Sequence, residues 1–160
     1  MHLRFDANLE FQRDAVNAVA DLFGGMARTA PLALTPVLRR EDQVSEAPVE
    51  AVPNPALPPD DLLLANLQAV QERNGLPPDA ELQRIAANGD SFLNFTVEME
   101  TGTGKTYVYI RTALELYRRY GFRKFIIVVP SVAIRENVLT AFRLTRDHFR
   151  RLYDNPSFSA

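Results

Sequence analysis

The stretch NFTVEMETGTGKTYVY, residues 94–109, decides how this chain is read. Phe95, Val97 and Met99 alternate with Thr96 and Glu98 at the period of a strand. Thr101, Gly102, Thr103 and Gly104 then turn the backbone into Lys105 and Thr106, where a helical pattern begins. Glycine suits such a turn because backbone N–H groups can close around an anion only where no Cβ stands in the way and positive φ is cheap. The helix that follows aims its unpaired N–H groups and the positive end of its dipole at the same anion. In a cradle of this kind Lys105 reaches the β- and γ-phosphates, and the Thr106 hydroxyl ligates Mg²⁺. The competing reading is a glycine turn followed by a surface lysine. The strand pattern before the loop and the helical pattern after it favour the cradle.

Outward on the C-terminal side, Val108, Ala113, Leu116 and Tyr117 fall on or near one helical stripe that Gly121 ends. Residues 124–129, KFIIVV, form a continuous β-branched and aromatic run, the pattern of a strand buried on both faces. Strand, cradle, helix, strand is one βαβ unit. It predicts an α/β fold with parallel strands, a right-handed crossover and a ligand outside the carboxyl ends of the strands. Ser131 is placed to cap a helix running to about Phe149, with Val138, Leu139, Phe142 and Phe149 as core candidates. Arg143, Arg146, Arg150 and Arg151 read as a solvated basic face. His2 and His148 are isolated, with no second ligand at metal spacing.

On the N-terminal side, residues 1–26 hold a helix with Phe11, Ala15, Val19 and Phe23 four apart, ended by Gly24 and Gly25. Residues 27–59 change character: seven of the eleven prolines lie here, with acidic residues and no sustained period, which predicts a mobile insertion. An edge strand near residues 32–38 is the alternative there. Residues 60–90 read as a helical segment. Asp60 or Asp61 caps a helix through Leu63, Leu64, Leu67 and Val70 that Asn74 and Gly75 close, and a short weak helix is expected over residues 82–87 before a turn at 88–90. Residues 91–160 carry the cradle, its βαβ unit and the capped helix.

Composition bounds the function. The formal charge of −2 gives no global attraction to nucleic acid, so any contact with DNA must be local. The absence of cysteine removes disulfides, thiolate zinc sites and thiol catalysis. No apolar run approaches a membrane span and residues 1–8 lack the apolar core of a signal peptide, so a cytoplasmic location is expected.

The strings METGTGKT and FIIVVPSVAIRE resemble motifs I and Ia of superfamily two helicases, most closely those of the restriction (Res) subunit of type III restriction-modification enzymes. Met99 stands where the strict Walker A pattern has glycine, which is ordinary in that family. Phe11-Gln12 resembles the helicase Q motif, in which a glutamine amide pairs with adenine. Residues 66–75, NLQAVQERNG, resemble a stretch between those motifs. The resemblance implies the first part of a RecA-like P-loop NTPase motor domain, three-layer and incomplete. It implies ATP with Mg²⁺, held by Gln12, Thr101, Gly102, Thr103, Gly104, Lys105 and Thr106, with Lys105 as the catalytic side chain and Thr106 on the metal. It implies contact with the DNA backbone through Pro130, Ser131 and Arg135, an endonuclease in the full protein, and a modification (methyltransferase) subunit as partner. Hydrolysis in this class needs an acidic DExx pair after a later strand, and none follows residue 129. The expectation is therefore a fragment that binds ATP without turning it over. A nucleotide-binding remnant and another P-loop phosphotransferase are the alternatives.

Overall fold

The computed structural model describes residues 5–28 and 53–153. The alternative edge strand near residues 32–38 and most of the expected mobile insertion lie outside the described residues. In chain order the elements are α1 (Glu10–Asp21), α2 (Asp60–Arg73), β1 (Arg84–Ala87), β2 (Asp90–Leu93), α3 (Lys105–Tyr120) and α4 (Val132–Leu152).

Helix α1 buries Gln12, Val16 and Ala20, three residues four apart, against α3. Phe11, expected on that stripe, lies one position off it and is 48% exposed. The helix ends at Leu22, and Gly25 at φ 86° turns the chain away. Helix α2 begins after Pro59 rather than being capped by Asp60 or Asp61; both acids sit in its first turn, where the dipole favours them. Leu63 is its fully buried anchor. Asn66 donates through Nδ2 to the carbonyls of Leu22 (2.9 Å) and Gly24 (3.0 Å), satisfying acceptors that the end of α1 leaves open.

The weak helix expected over residues 82–87 is instead β1 of an antiparallel hairpin, paired Arg84 with Leu93 through Ala87 with Asp90. Turn chemistry explains the correction. Asn88 at φ 53° and Gly89 at φ 85° make the two-residue left-handed connection that joins tight hairpins, and this outweighs a marginal helical tendency.

Two small cores hold the helices. Ala20, Leu116, Tyr120 and Phe122 form one, with Val19, Phe23 and Met26 against it. Tyr107, Ile110, Leu114 and Phe149 form the other, where the C-terminal part of α4 meets α3. A buried carboxylate ties them together. Glu115 accepts from Arg118 (2.8 Å) and Arg119 (3.1 Å) through Oε2 and from the Tyr153 hydroxyl (3.1 Å) through Oε1, while Arg119 continues to Asp21 and Asn17 on α1. Burial alone would raise the Glu115 carboxyl, but Arg118, Arg119 and Tyr153 hold it below its ordinary value. Tyr153, in turn, is pushed up to about 12, chiefly by burial.

The helix of the expected βαβ unit is present, but among the described residues its flanking segments join no ladder, and the hairpin is the sheet that forms. A strand exists through its hydrogen-bonded neighbour. After the Asn94 N–H bonds Gln83, residues 95–100 have no such neighbour. Around residue 124 the neighbour is a side chain. Asn54 accepts from the N–H groups of Arg123 and Lys124 and donates to the Lys124 carbonyl, so this end of the proline-rich stretch is packed. Beyond it, Phe125 and Ile127 are 41% and 42% exposed while Ile126 and Val128 are 92% and 88% exposed. That alternation is the period of extended chain with one face open. Among the described residues no helix is long and apolar enough to cross a membrane.

Candidate nucleotide site

The loop between residues 100 and 105 takes its shape from two left-handed glycines, Gly102 at φ 86° and Gly104 at φ 87°. Gly104 is also the N-cap of α3, so Lys105 and Thr106 are its first two helical residues. No side chain caps this helix and no acid lies in its first turn, whereas α4 is capped by Ser131 Oγ, which accepts from the Ile134 N–H at 3.3 Å. The first N–H groups of α3 are therefore open to an anion. Lys105 Nζ (2.8 Å) and Thr103 Oγ1 (2.7 Å) both donate to the Glu100 carbonyl, which folds the lysine back across the mouth of its own loop.

Gln12 reaches this loop from α1. Its Nε2 donates to the Thr103 carbonyl at 2.9 Å, and a Cβ added to Gly104 would stand 2.7 Å from the same nitrogen. Position 104 thus demands glycine twice, for its φ and for the amide against it. An amide has two N–H donors and an acceptor; the bond to Thr103 uses one donor and leaves the rest for a base. A cavity of about 890 Å³ opens beside the loop between α1, α2 and residues 94–103, with Phe11, Val19, Leu67, Val70, Phe95 and Thr103 in its wall. Gln12, Lys105 and Thr106 lie outside that cavity wall, around Thr103 and the uncapped start of α3, where a lysine, a threonine and a side-chain amide are of the kinds that fit a nucleotide carrying Mg²⁺.

The structure brings Gln12, Thr103, Gly104, Lys105 and Thr106 together, with Thr101 and Gly102 on the exposed outer turn. It does not join Pro130, Ser131 or Arg135 to them by any hydrogen bond or ion pair among the described residues. Those three stand exposed at the far end of α4, where Arg135 pairs with Glu136 at 2.9 Å. Arg143, Arg146, Arg150 and Arg151 are likewise exposed.

Two features escaped the sequence reading. Glu115 is one, a carboxylate on the buried face of α3; its signal was the arginines at i+3 and i+4. His148 is the other. It is not isolated, because its Nε2 lies 2.8 Å from the Tyr107 hydroxyl, one residue beyond Thr106, and its ring packs on Phe5, Tyr107 and Phe149. Burial, then Arg111 and Arg151, lower the imidazole below its ordinary value. Between that lowered value and the ordinary one of about 6.5, the unfolded chain binds more protons than the folded chain, so stability rises with pH there and is complete above it. Urea midpoints should fall as pH drops from about 7.5 to about 5.5, and His148→Gln should remove much of that slope. An identical slope in the variant would show that His148 does not carry it.

The profile of the family described as "Type III restriction enzyme, res subunit" matches residues 61–157. The chain is 32% identical over 154 residues to the type III restriction-modification enzyme EcoPI Res subunit of Escherichia phage P1, covering 94% of this chain and 14% of that protein. It is 32% identical over 151 residues to the EcoP15I Res subunit of Escherichia coli, covering 92% of this chain and 14% of the relative. Over 69 residues it is 49% identical to the StyLTI Res subunit of Salmonella typhimurium, covering 41% and 7%. The chain thus spans about one-seventh of the first of these relatives, and across that span it belongs to the family of type III restriction enzyme Res subunits.

Proposed function

We propose that this chain is the ATP-binding beginning of the first motor domain of an ATP-dependent DNA translocase, acting within a type III restriction endonuclease beside a modification subunit. The observation that carries the reading is the start of α3, where two left-handed glycines lead into a helix with no side-chain cap and with Lys105 and Thr106 as its first residues. Bound there, Mg²⁺ would neutralise charge on the β- and γ-phosphates, with Thr106 as its protein ligand. The backbone N–H groups at residues 103–106 hold the phosphates, and Lys105 leaves the Glu100 carbonyl to reach them. Gln12 holds Thr103 with one amide hydrogen and offers the other, with its oxygen, to adenine; guanine presents the opposite pattern. Pro130, Ser131 and Arg135 meet the DNA backbone at the exposed start of α4, where Arg135 exchanges its surface partner Glu136 for a phosphate at little cost. RecA-like parallel strands would form from residues 95–99 and 124–129 once each has a neighbour.

Titration calorimetry tests this directly. A charge-assisted hydrogen bond contributes about 1.5 to 3 kcal/mol, so Lys105→Ala should weaken ADP or ATP binding roughly tenfold to a hundredfold. Equal isotherms for the variant and the parent would remove Lys105 from the site.

A further inference from the structure

The helix that bears the DNA-contact candidates is anchored at its opposite end, against the first turn of the nucleotide helix. Residues 132–137 of α4 are all exposed, Val138 and Thr145 are buried, and Phe149 is fully buried against Tyr107, Ile110 and Leu114. His148 lies about 17 residues, or roughly 25 Å, from the Ser131 cap at the helical rise of 1.5 Å per residue. At that anchor the Tyr107 hydroxyl meets His148 Nε2 at 2.8 Å, beside the bond from Tyr153 at the end of α4 to Glu115, and Tyr107 follows Thr106 directly. Phe5 stacks on Tyr107 with ring centroids 6.1 Å apart and lies 5.5 Å from His148, so the three rings form one cluster.

We propose that Tyr107 and His148 are positioning residues that pass the state of the phosphate loop to α4, and so to its DNA-facing end. The proposal rests on the nucleotide reading above and names how that site would be coupled to DNA. Three observations support it. Lys105 and Gln12 both hold the loop in its present form through bonds to its own carbonyls, at Glu100 and Thr103. A phosphate must draw Lys105 off Glu100, and the first turn of α3, which includes Tyr107, is what that lysine is built on. The Tyr107 hydroxyl and His148 Nε2 stand 2.8 Å apart, a hydrogen bond between the two helices. Such a bond is sensitive to a small shift of either ring, since hydrogen bonds weaken steeply as distance and angle depart from ideal. α4 is one continuous helix whose start, residues 132–137, is exposed ahead of the buried Val138, so a rotation at His148 is carried along it toward Ser131.

The chain contains only two histidines, His2 and His148, which makes the imidazole its own reporter. Ring resonances of the histidine-labelled chain should be followed by nuclear magnetic resonance while ADP and Mg²⁺ are added, with calorimetry run on the same samples. The His148 signals should move in step with occupancy. In Tyr107→Phe, which keeps the ring and removes the hydroxyl, the ADP-dependent movement should drop severalfold, while affinity changes by less than about tenfold, the reach of one neutral hydrogen bond. A fluorophore on Ala133→Cys, the single thiol in this cysteine-free chain, should respond to ADP in the parent and lose that response in Tyr107→Phe. Binding with an unmoved His148, or an undiminished response in Tyr107→Phe, would overturn the coupling and leave the nucleotide reading standing. No ADP binding by calorimetry would overturn the nucleotide reading and the coupling together.

Discussion

Purified chain mixed with ATP, Mg²⁺ and DNA is expected to release phosphate no faster than a protein-free blank. In the proposed function the loop holds a polyphosphate, but transfer to water also needs an oriented nucleophile and charge neutralisation across the γ-phosphate. The carboxylates nearest the loop in sequence, Glu98 and Glu100, lie in the wall of the cavity beside it. Glu98 and Glu100 are both exposed, and it is the carbonyl of Glu100, not its carboxylate, that faces Lys105 and Thr103. Loss of an arginine finger alone costs ~10³ to 10⁵ in rate, and loss of an acidic metal-orienting pair compounds it. A phosphate-release assay decides the matter. Turnover stimulated by DNA and abolished by Lys105→Ala would show that these residues form a motor by themselves.

The second large effect is on stability. Phe149 is fully buried, with its ring centroid 5.0 Å from Tyr107, 5.2 Å from His148 and 6.3 Å from Tyr153. Truncating a buried phenylalanine to alanine costs about 3 to 5 kcal/mol, counting both lost transfer energy and the cavity left behind. Domains of this size retain roughly 5 to 15 kcal/mol, so Phe149→Ala should consume a large part of the stability and release α4 from α3. Urea unfolding followed by circular dichroism should show a midpoint far below that of the parent. A shift under about 1 kcal/mol would mean that the second core contributes little and that α4 is held elsewhere.

The sequence made some of this legible for identifiable reasons. The turn before α3 was legible because Gly102 and Gly104 take the positive φ that glycine makes cheap, and Gly104 and Gly121 bound α3 as expected. Ser131 likewise caps α4 as its residue type predicts. Local signals failed where the answer depended on a partner. Residues 82–87 became a strand because Asn88 and Gly89 brought residues 90–93 alongside them. The apolar run at 124–129 has strand composition, but composition cannot provide the neighbouring edge. Gln12 as a brace for Thr103 was not legible, because a contact 91 residues away leaves no periodic trace. His148 was invisible for the same reason, its partner lying 41 residues earlier on another helix.

The open face at Phe125, Ile126, Ile127 and Val128 also bears on how the chain behaves in a tube. A short, uncharged, β-prone segment with its backbone unpaired is a template for its own kind, and two such segments from different molecules can zip together in register. Lys124 at one end and Pro130 at the other act as gatekeepers, the first by charge and the second by withholding an N–H, but neither lies within the exposed run. Concentration therefore sets the solubility of the isolated chain, and dilute samples with a charged tag are the form in which it should be handled.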